Sequence, residues 1–130
     1  MSSLVVADAS ALVDLLIGGP AVPWIEEQLS DHDAVAPGHV RAEILSALGR
    51  RYRGGLLGPV QVEAAVMRTS RIPIVEKPLA DLLAGAWARR DSLQLADALY
   101  VELAAQLDTV VITTDRRLAR ATPLAVAPPE

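Results

Sequence analysis

S-S-L-V-V-A-D-A-S-A-L-V-D-L-L, residues 2–16, is the stretch whose reading decides the fold. Leu4, Val5, Val6 and Ala7 form an apolar run without alternation, the pattern of a strand covered on both faces. Asp8 ends that run, and Ser10 can cap the helix that continues through Ala11, Leu12, Leu15 and Leu16. The first carboxylate of the chain therefore stands where a buried strand turns into a helix. In open parallel sheets ligands bind at that edge, beyond the carboxyl ends of the strands. Taken alone, Asp8 reads equally well as a plain helix cap.

Further along, Gly18-Gly19-Pro20 breaks the chain and Pro23 opens a second helix through Trp24, Ile25 and Leu29. A polar turn at 31–33 leads into a short strand at 34–36, ended by Pro37-Gly38. The spacing of Val40, Ile44, Ala47 and Leu48 predicts a helix from His39 to about Arg53. Another helix starts at Pro59 and ends near Arg71, carrying Val62, Ala65, Val66 and Thr69 on one face. Residues 72–75 read as an edge strand because Pro73 interrupts them. A helix from Pro78 ends at Arg89-Arg90, and residues 95–107 form one that is apolar on more than one face and hence central. Residues 110–113 repeat the fully buried strand pattern. A helical turn at 116–120 and a last short strand at 124–127 follow. Strands alternating with helices predict an α/β fold with a mainly parallel sheet and right-handed crossovers. With 130 residues, no linker and no internal repeat, the chain is expected to form one domain over 1–130.

Composition removes several function classes. The chain has no cysteine, which excludes disulfides, thiolate metal sites and cysteine nucleophiles and suits a reducing, cytoplasmic setting. No stretch approaches the roughly 20 apolar residues of a membrane span, so no membrane association is expected. The N-terminus lacks a basic segment, and residues 4–7 are too short for a signal sequence. The only aromatic residues are Trp24, Tyr52, Trp87 and Tyr100, too few for recognition by base stacking. Net charge is −4, yet eleven of the twelve basic residues are arginine, in clusters at 50–53, 89–90 and 116–120. Arginine suits bidentate phosphate contact, although helix ends in solvent also attract such pairs. Neither a G-x-G-x-x-G nor a P-loop pattern occurs, which disfavours nucleotide-binding folds.

Four acids stand where a core-building sequence would not place them. Asp8 follows the first buried strand, and Asp115 follows the second, in T-T-D-R-R. Glu43 borders an apolar helix stripe, and Asp97 interrupts L-A-D-A-L-Y-V near the start of a buried helix. Each has a plain alternative as a cap, a dipole partner or a solvated side chain. Jointly they fit something else. If the two buried strands are neighbours, roughly 5 Å apart, Asp8 and Asp115 face one small space. Four carboxylates there cannot stay ionised together without a cation. All-oxygen ligands select hard divalent ions, Mg²⁺ or Mn²⁺, whose chemistry is water activation and stabilisation of a phosphate in transfer.

These residues carry a family resemblance. The segments V-V-A-D-A-S-A-L-V-D-L-L (5–16), P-G-H-V-R-A-E-I-L-S-A-L (37–48), L-A-D-A-L-Y-V-E-L-A (95–104) and V-V-I-T-T-D-R-R-L-A (110–119) resemble, in order, those of PIN-domain proteins. More narrowly, they are similar to the ribonuclease toxins of VapBC-type toxin–antitoxin pairs. The resemblance implies a five-stranded parallel sheet between helices, with an acidic pocket at the strand ends. It implies Mg²⁺- or Mn²⁺-dependent cleavage of single-stranded or looped RNA, and an antitoxin protein as partner. Asp8, Glu43, Asp97 and Asp115 occupy the family's acidic positions; Asp8, Asp97 and Asp115 are the expected metal ligands. Thr113 matches the family's hydroxyl two residues before the last Asp, and Ser10 is the expected polar neighbour. Family members often carry a further carboxylate where this chain has Arg116 and Arg117, which are the expected RNA contacts. His39 is read as a helix-start residue within reach of the pocket rim. The helices from Pro23 and Pro59 are expected to expose apolar surface to the antitoxin or to a homodimer contact.

Other classes fit less well. A non-catalytic PIN-like module binding RNA or protein would be free to lose the four acids. A phospho-receiver domain wants an acidic neighbour beside Asp8 and a lysine near the last strand, whereas the sole lysine is Lys77. A haloacid dehalogenase-type phosphatase needs a second Asp two residues after the first, where this chain has Ser10.

Overall fold

The structure, a computed structural model, describes residues 3–130, and Ser2 of the opening stretch lies outside the described residues. The apolar run forms β1 (Ser3–Ala7), followed by α1 (Ala9–Ile17) and α2 (Val22–Leu29). Next come β2 (His32–Pro37), α3 (Val40–Arg53), α4 (Pro59–Thr69) and β3 (Val75–Lys77). A 3₁₀ turn (Leu79–Asp81), α5 (Leu83–Ala88), α6 (Leu95–Gln106), β4 (Val111–Ile112), α7 (Arg116–Ala121) and β5 (Ala125–Val126) complete the chain. The five strands are all parallel in the order β3-β2-β1-β4-β5.

This order makes β1 the centre and sends the chain outward twice, first through β2 and β3, then through β4 and β5. The direction of winding reverses between β1 and β4, the two strands read as fully buried. A crevice opens at such a switch point, outside the carboxyl ends of the strands. Val6 pairs with Val111 and Ala7 with Ile112, so Asp8 and Thr113 leave the sheet side by side. The Asp8 N–H continues the ladder by donating to the Ile112 carbonyl at 3.1 Å.

Both sheet faces are covered. Val6, Val35 and Val111 pack with Leu12, Ile44, Leu48, Tyr100, Val101 and Ala104 in the main core. Val5 and Ile112, turned the other way by the strand's two-residue period, pack with Ala11 and Ile25 in a smaller one. As expected for a central helix, α6 buries Ala98, Tyr100, Val101, Leu103 and Ala104.

Local assignments shift where tertiary pairing overrides pattern. Asp8, not Ser10, is the N-cap of α1, its side chain accepting from the Ala11 N–H. The strand expected at 34–36 extends back to His32, because Ser3 and Leu4 of β1 offer pairing partners to the polar residues 32 and 33. The edge strand lies at Val75–Lys77 instead of 72–75: Val35 of β2 pairs with Val75, and Pro73, lacking an N–H, precedes the ladder. The single helix expected from Pro78 is a 3₁₀ turn and a short helix. The helix from Pro23 is not an exposed apolar face, since Ile25 is fully buried and Trp24 and Leu29 pack against the smaller core. On α4, by contrast, Val60 and Met67 stand exposed.

Candidate active site

Chain geometry delivers each acid by a different element. Asp8 comes from the end of β1, Asp115 from the N-cap of α7 after β4, Glu43 from the first turn of α3 and Asp97 from the first turn of α6. All four line one cavity of about 500 Å³, together with Ser10, Tyr100, Arg50 and Arg51. Asp14, six residues beyond Asp8, does not join them. It is buried elsewhere and accepts from the Ala21 N–H at 3.1 Å, holding the turn between α1 and α2.

A hydroxyl bridge ties the two strand ends together. Ser10 Oγ donates to Asp8 Oδ1 at 2.6 Å, and the Ala11 N–H donates to the same oxygen at 3.0 Å. Ser10 Oγ lies 3.2 Å from Thr113 Oγ1 and accepts from the Thr114 N–H at 3.0 Å. Thr113, fully buried, in turn accepts from the Asp115 N–H at 3.0 Å. Ser10 and Thr113 therefore fix Asp8 and the backbone of Asp115 relative to one another.

Glu43 is held from two sides. Tyr100 donates its hydroxyl proton to Glu43 Oε1 at 2.6 Å, and His39 Nε2 lies 3.4 Å from the same oxygen. The His39 ring packs on Tyr100 with centroids 4.9 Å apart. Its Nε2 also faces the Ala96 carbonyl at 3.3 Å. Both neighbours of Nε2 are acceptors, so that nitrogen carries the proton; Nδ1 is buried without a partner among the described residues. In the sequence Tyr100 shows only as one of four aromatic residues, within the central helix at 95–107, with no role at the site. Its polar role depends on two helices 57 residues apart meeting at the cavity.

Burial first, and neighbouring carboxylates second, disfavour the charged form of two of the four acids. Burial pushes the Asp8 carboxyl up to about 6, against the lowering effect of hydrogen bonds from Ser10, Thr113 and Ala11, with the Asp97 charge adding to the rise. Asp97 is also raised, first by burial and then by Asp115 and Glu43, while Arg117 and His39 act the other way. Burial and the Glu43 charge hold the Tyr100 phenol far above its ordinary range, so it remains a proton donor.

Among the described residues no three acid or imidazole groups stand close enough to hold an ion as placed. The reasons are visible: Asp115 turns to its own helix, accepting from the Arg117 N–H at 2.9 Å and pairing with the Arg117 guanidinium at 3.4 Å. Glu43 is drawn toward Tyr100 and His39. The donor chemistry nonetheless fits a hard divalent cation, with oxygen-only ligands from one buried and three partly exposed carboxylates on one cavity, whose mutual repulsion a cation would relieve.

The expected RNA contacts separate. Arg117 stands beside Asp115, 80% exposed at its side chain, on a neighbouring pocket that Asp97 and Asp115 also line. Arg116 turns away, donating to the Pro128 and Pro129 carbonyls and pairing with Glu130.

A family model described as PIN domain matches residues 5–123. Ribonuclease VapC3 of Mycobacterium tuberculosis is 49% identical over 124 residues, covering 95% of this chain and 90% of that protein. The crystal structure of PAE2754 from Pyrobaculum aerophilum is similar with a TM-score of 0.68 at 25% identity, covering 96% of this chain and 83% of that one. A chain of a toxin–antitoxin complex from Klebsiella pneumoniae shares the fold with a TM-score of 0.66 at 19% identity, covering 99% of each. A central parallel sheet, an acidic cavity at its switch point and a family match spanning nearly the whole chain agree: this chain belongs to the PIN-domain family, alongside proteins named ribonuclease VapC.

Proposed function

We propose that the protein is a divalent-metal-dependent endoribonuclease and the toxin of a VapBC-type toxin–antitoxin pair. The observation that carries this reading is the meeting of four carboxylates from β1, α3, α6 and the β4–α7 junction on one cavity. Asp8, Asp97 and Asp115 would hold a Mg²⁺ or Mn²⁺ ion, with Glu43 completing the acidic set. When bound, such an ion supplies Lewis-acid stabilisation of phosphate and a water acidic enough to be deprotonated near neutral pH.

The chain's own groups do the rest. Ser10 and Thr113 keep Asp8 and Asp115 in register. The Tyr100 hydroxyl occupies Glu43 Oε1 and leaves Oε2 free to take a proton from the attacking water. Water oxygen adds to phosphorus as the P–O bond to the leaving ribose oxygen breaks, and that oxygen takes up a proton from solvent to leave as a hydroxyl. The chain has no cysteine, and the serine on the cavity, Ser10, is held between Asp8, Thr113 and the Thr114 N–H as a structural bridge, so water is the nucleophile. Opposed to this centre stands an antitoxin that inserts an arginine among the acids, replacing the cation's charge. Exposed Val60 and Met67 on α4 are the apolar contact of a homodimer.

Purified protein with structured RNA tests the reading. Cleavage is expected in Mn²⁺ or Mg²⁺, to stop in chelator and to return when the ion is added back. Full cutting in chelator would overturn the metal dependence. Binding without cutting at any ion concentration would leave a non-catalytic PIN-like module in its place.

A further inference from the structure

An acidic cavity repels the polyanion it is proposed to cut, and the chain's net charge of −4 does not compensate. Attraction has to come from cations that face the cavity and are not already neutralised. Most arginines fail one of these conditions. Arg41 bonds the Thr69 and Ile72 carbonyls and pairs with Glu76. Arg68 bonds the Leu16 carbonyl, Arg89 pairs with Glu102, and Arg90 lies over the Trp87 ring. Arg116 is tied to the C-terminal residues and Arg117 to Asp115.

Arg50 and Arg51 are different. Both line the cavity that holds the four acids, and among the described residues neither side chain makes a hydrogen bond or an ion pair. Their placement follows from helix spacing. Glu43, Ala47, Arg50 and Arg51 are offset by four, seven and eight residues on α3, which puts them on one side of it. Seven residues separate Glu43 from Arg50, about 10 Å along the axis. The α3 positions that carry the two arginines thus lie toward the α3–α4 turn, while Glu43 lies at the start of the helix; Arg50 also lines a small pocket beside Glu43 and His39. Past the turn at Gly54-Gly55, Leu56 adds an apolar wall, 71% exposed.

We infer that Arg50 and Arg51 form a phosphate-binding subsite that grips the RNA strand beyond the scissile bond, so that the strand runs along α3 from the acids toward the α3–α4 turn. The inference rests on the ribonuclease reading and deepens it. Arginine forks match phosphate oxygens bidentately, and Leu56 offers a surface for the ribose between phosphates. Among the described residues the only aromatic side chain lining the cavity is Tyr100, whose hydroxyl is engaged with Glu43, so no base-stacking platform competes with backbone recognition there. Contact of this kind fixes position and register without reading sequence. Arginines in a last helical turn also complement the helix dipole, but Arg53 serves that purpose from outside the cavity.

The test uses a short fluorescein-labelled single-stranded RNA, read by anisotropy in chelator across a salt series, with cleavage of the same RNA in Mn²⁺ as second readout. Arg50→Ala with Arg51→Ala is expected to bind about tenfold more weakly or worse. Its plot of log affinity against log salt becomes shallower by about 1.4, two single-strand phosphate contacts. In Mn²⁺ its KM rises while kcat stays near the wild-type value. Arg50→Lys with Arg51→Lys keeps the salt slope. Arg71→Ala with Arg120→Ala removes equal charge outside the cavity and leaves slope and KM unchanged. Wild-type cleavage with an unaltered KM and slope in the Arg50/Arg51 alanine variant would overturn the subsite and leave the ribonuclease standing. Arginine-dependent binding without any cleavage would do the reverse, and a wild type that neither binds nor cuts RNA would remove both.

Discussion

Asp8→Asn is expected to melt higher than the wild type in chelator at about pH 7.5, and to cleave RNA slower by a factor on the order of 10²–10³, the loss that follows removal of one charge-stabilising group. The stability gain comes from burial. The Asp8 carboxyl stands at about 6 in the folded chain against 3.8 when free, so above pH 6 folding has to keep a charge in a place that disfavours it. The pKa difference corresponds to an upper limit of roughly 3 kcal/mol. For a domain of this size that is a rise of several degrees, up to about 10 °C. Asparagine keeps an oxygen for the Ser10 hydroxyl and the Ala11 N–H, and caps helices about as well as aspartate. The sign with pH follows. Between 3.8 and about 6 the folded protein holds a proton that the unfolded chain has released, so the wild type gains stability as pH falls through that window. Asp8→Asn lacks this gain, and the two melting curves converge toward pH 4. Thermal melts across pH read it directly; equal melting temperatures at pH 7.5 would mean that Asp8 carries its charge at no cost.

Tyr100→Phe is expected to lower the cleavage rate about 10- to 100-fold while the protein stays folded, the range that follows loss of a group supporting a ligand's orientation. Its ring is 2% exposed and packed in the main core, which phenylalanine preserves. What disappears is the 2.6 Å hydrogen bond that anchors Glu43 Oε1. Freed from it, the carboxylate rotates, and the proton acceptor facing the cavity is no longer fixed. A Glu43→Gln, Tyr100→Phe double variant should be hardly slower than Glu43→Gln alone, because both changes act through one carboxylate. Rate losses that multiply would show that Tyr100 acts independently of Glu43.

Much of this site is legible in the sequence because strand ends are. A buried strand announces itself as an unbroken apolar run, and the polar residue that ends it marks the sheet edge where ligands bind; Asp8 and Asp115 are found that way. Glu43 and Asp97 show as acids at the border or interior of apolar helix patterns. Three things needed coordinates. The edge strand moved to Val75–Lys77 because its place is set by pairing with β2, not by its own residues. Periodicity gives the apolar face of α2 but not what covers it, and Ile25 proves fully buried. Arg116 and Arg117 lie next to an acid in sequence, yet one turns to the C-terminal residues, while Arg50 and Arg51, 64 or more residues before Asp115, line the same cavity as it does.

Four carboxylates on one cavity repel one another, and a divalent cation among them would relieve that repulsion. Thermal melts of the wild type and Asp97→Asn, each in chelator and in millimolar Mn²⁺, test it most directly. Asp97 is raised by burial and by the charges of Asp115 and Glu43, so removing its charge should raise the melting temperature in chelator. Mn²⁺ should stabilise the wild type by mass action, about 2.7 kcal/mol at a hundredfold excess over its dissociation constant, and the variant far less. A first-turn acid serving only the dipole of α6 predicts the opposite sign in chelator. An Asp97→Asn protein that melts lower than the wild type in chelator and gains as much from Mn²⁺ would contradict the shared site.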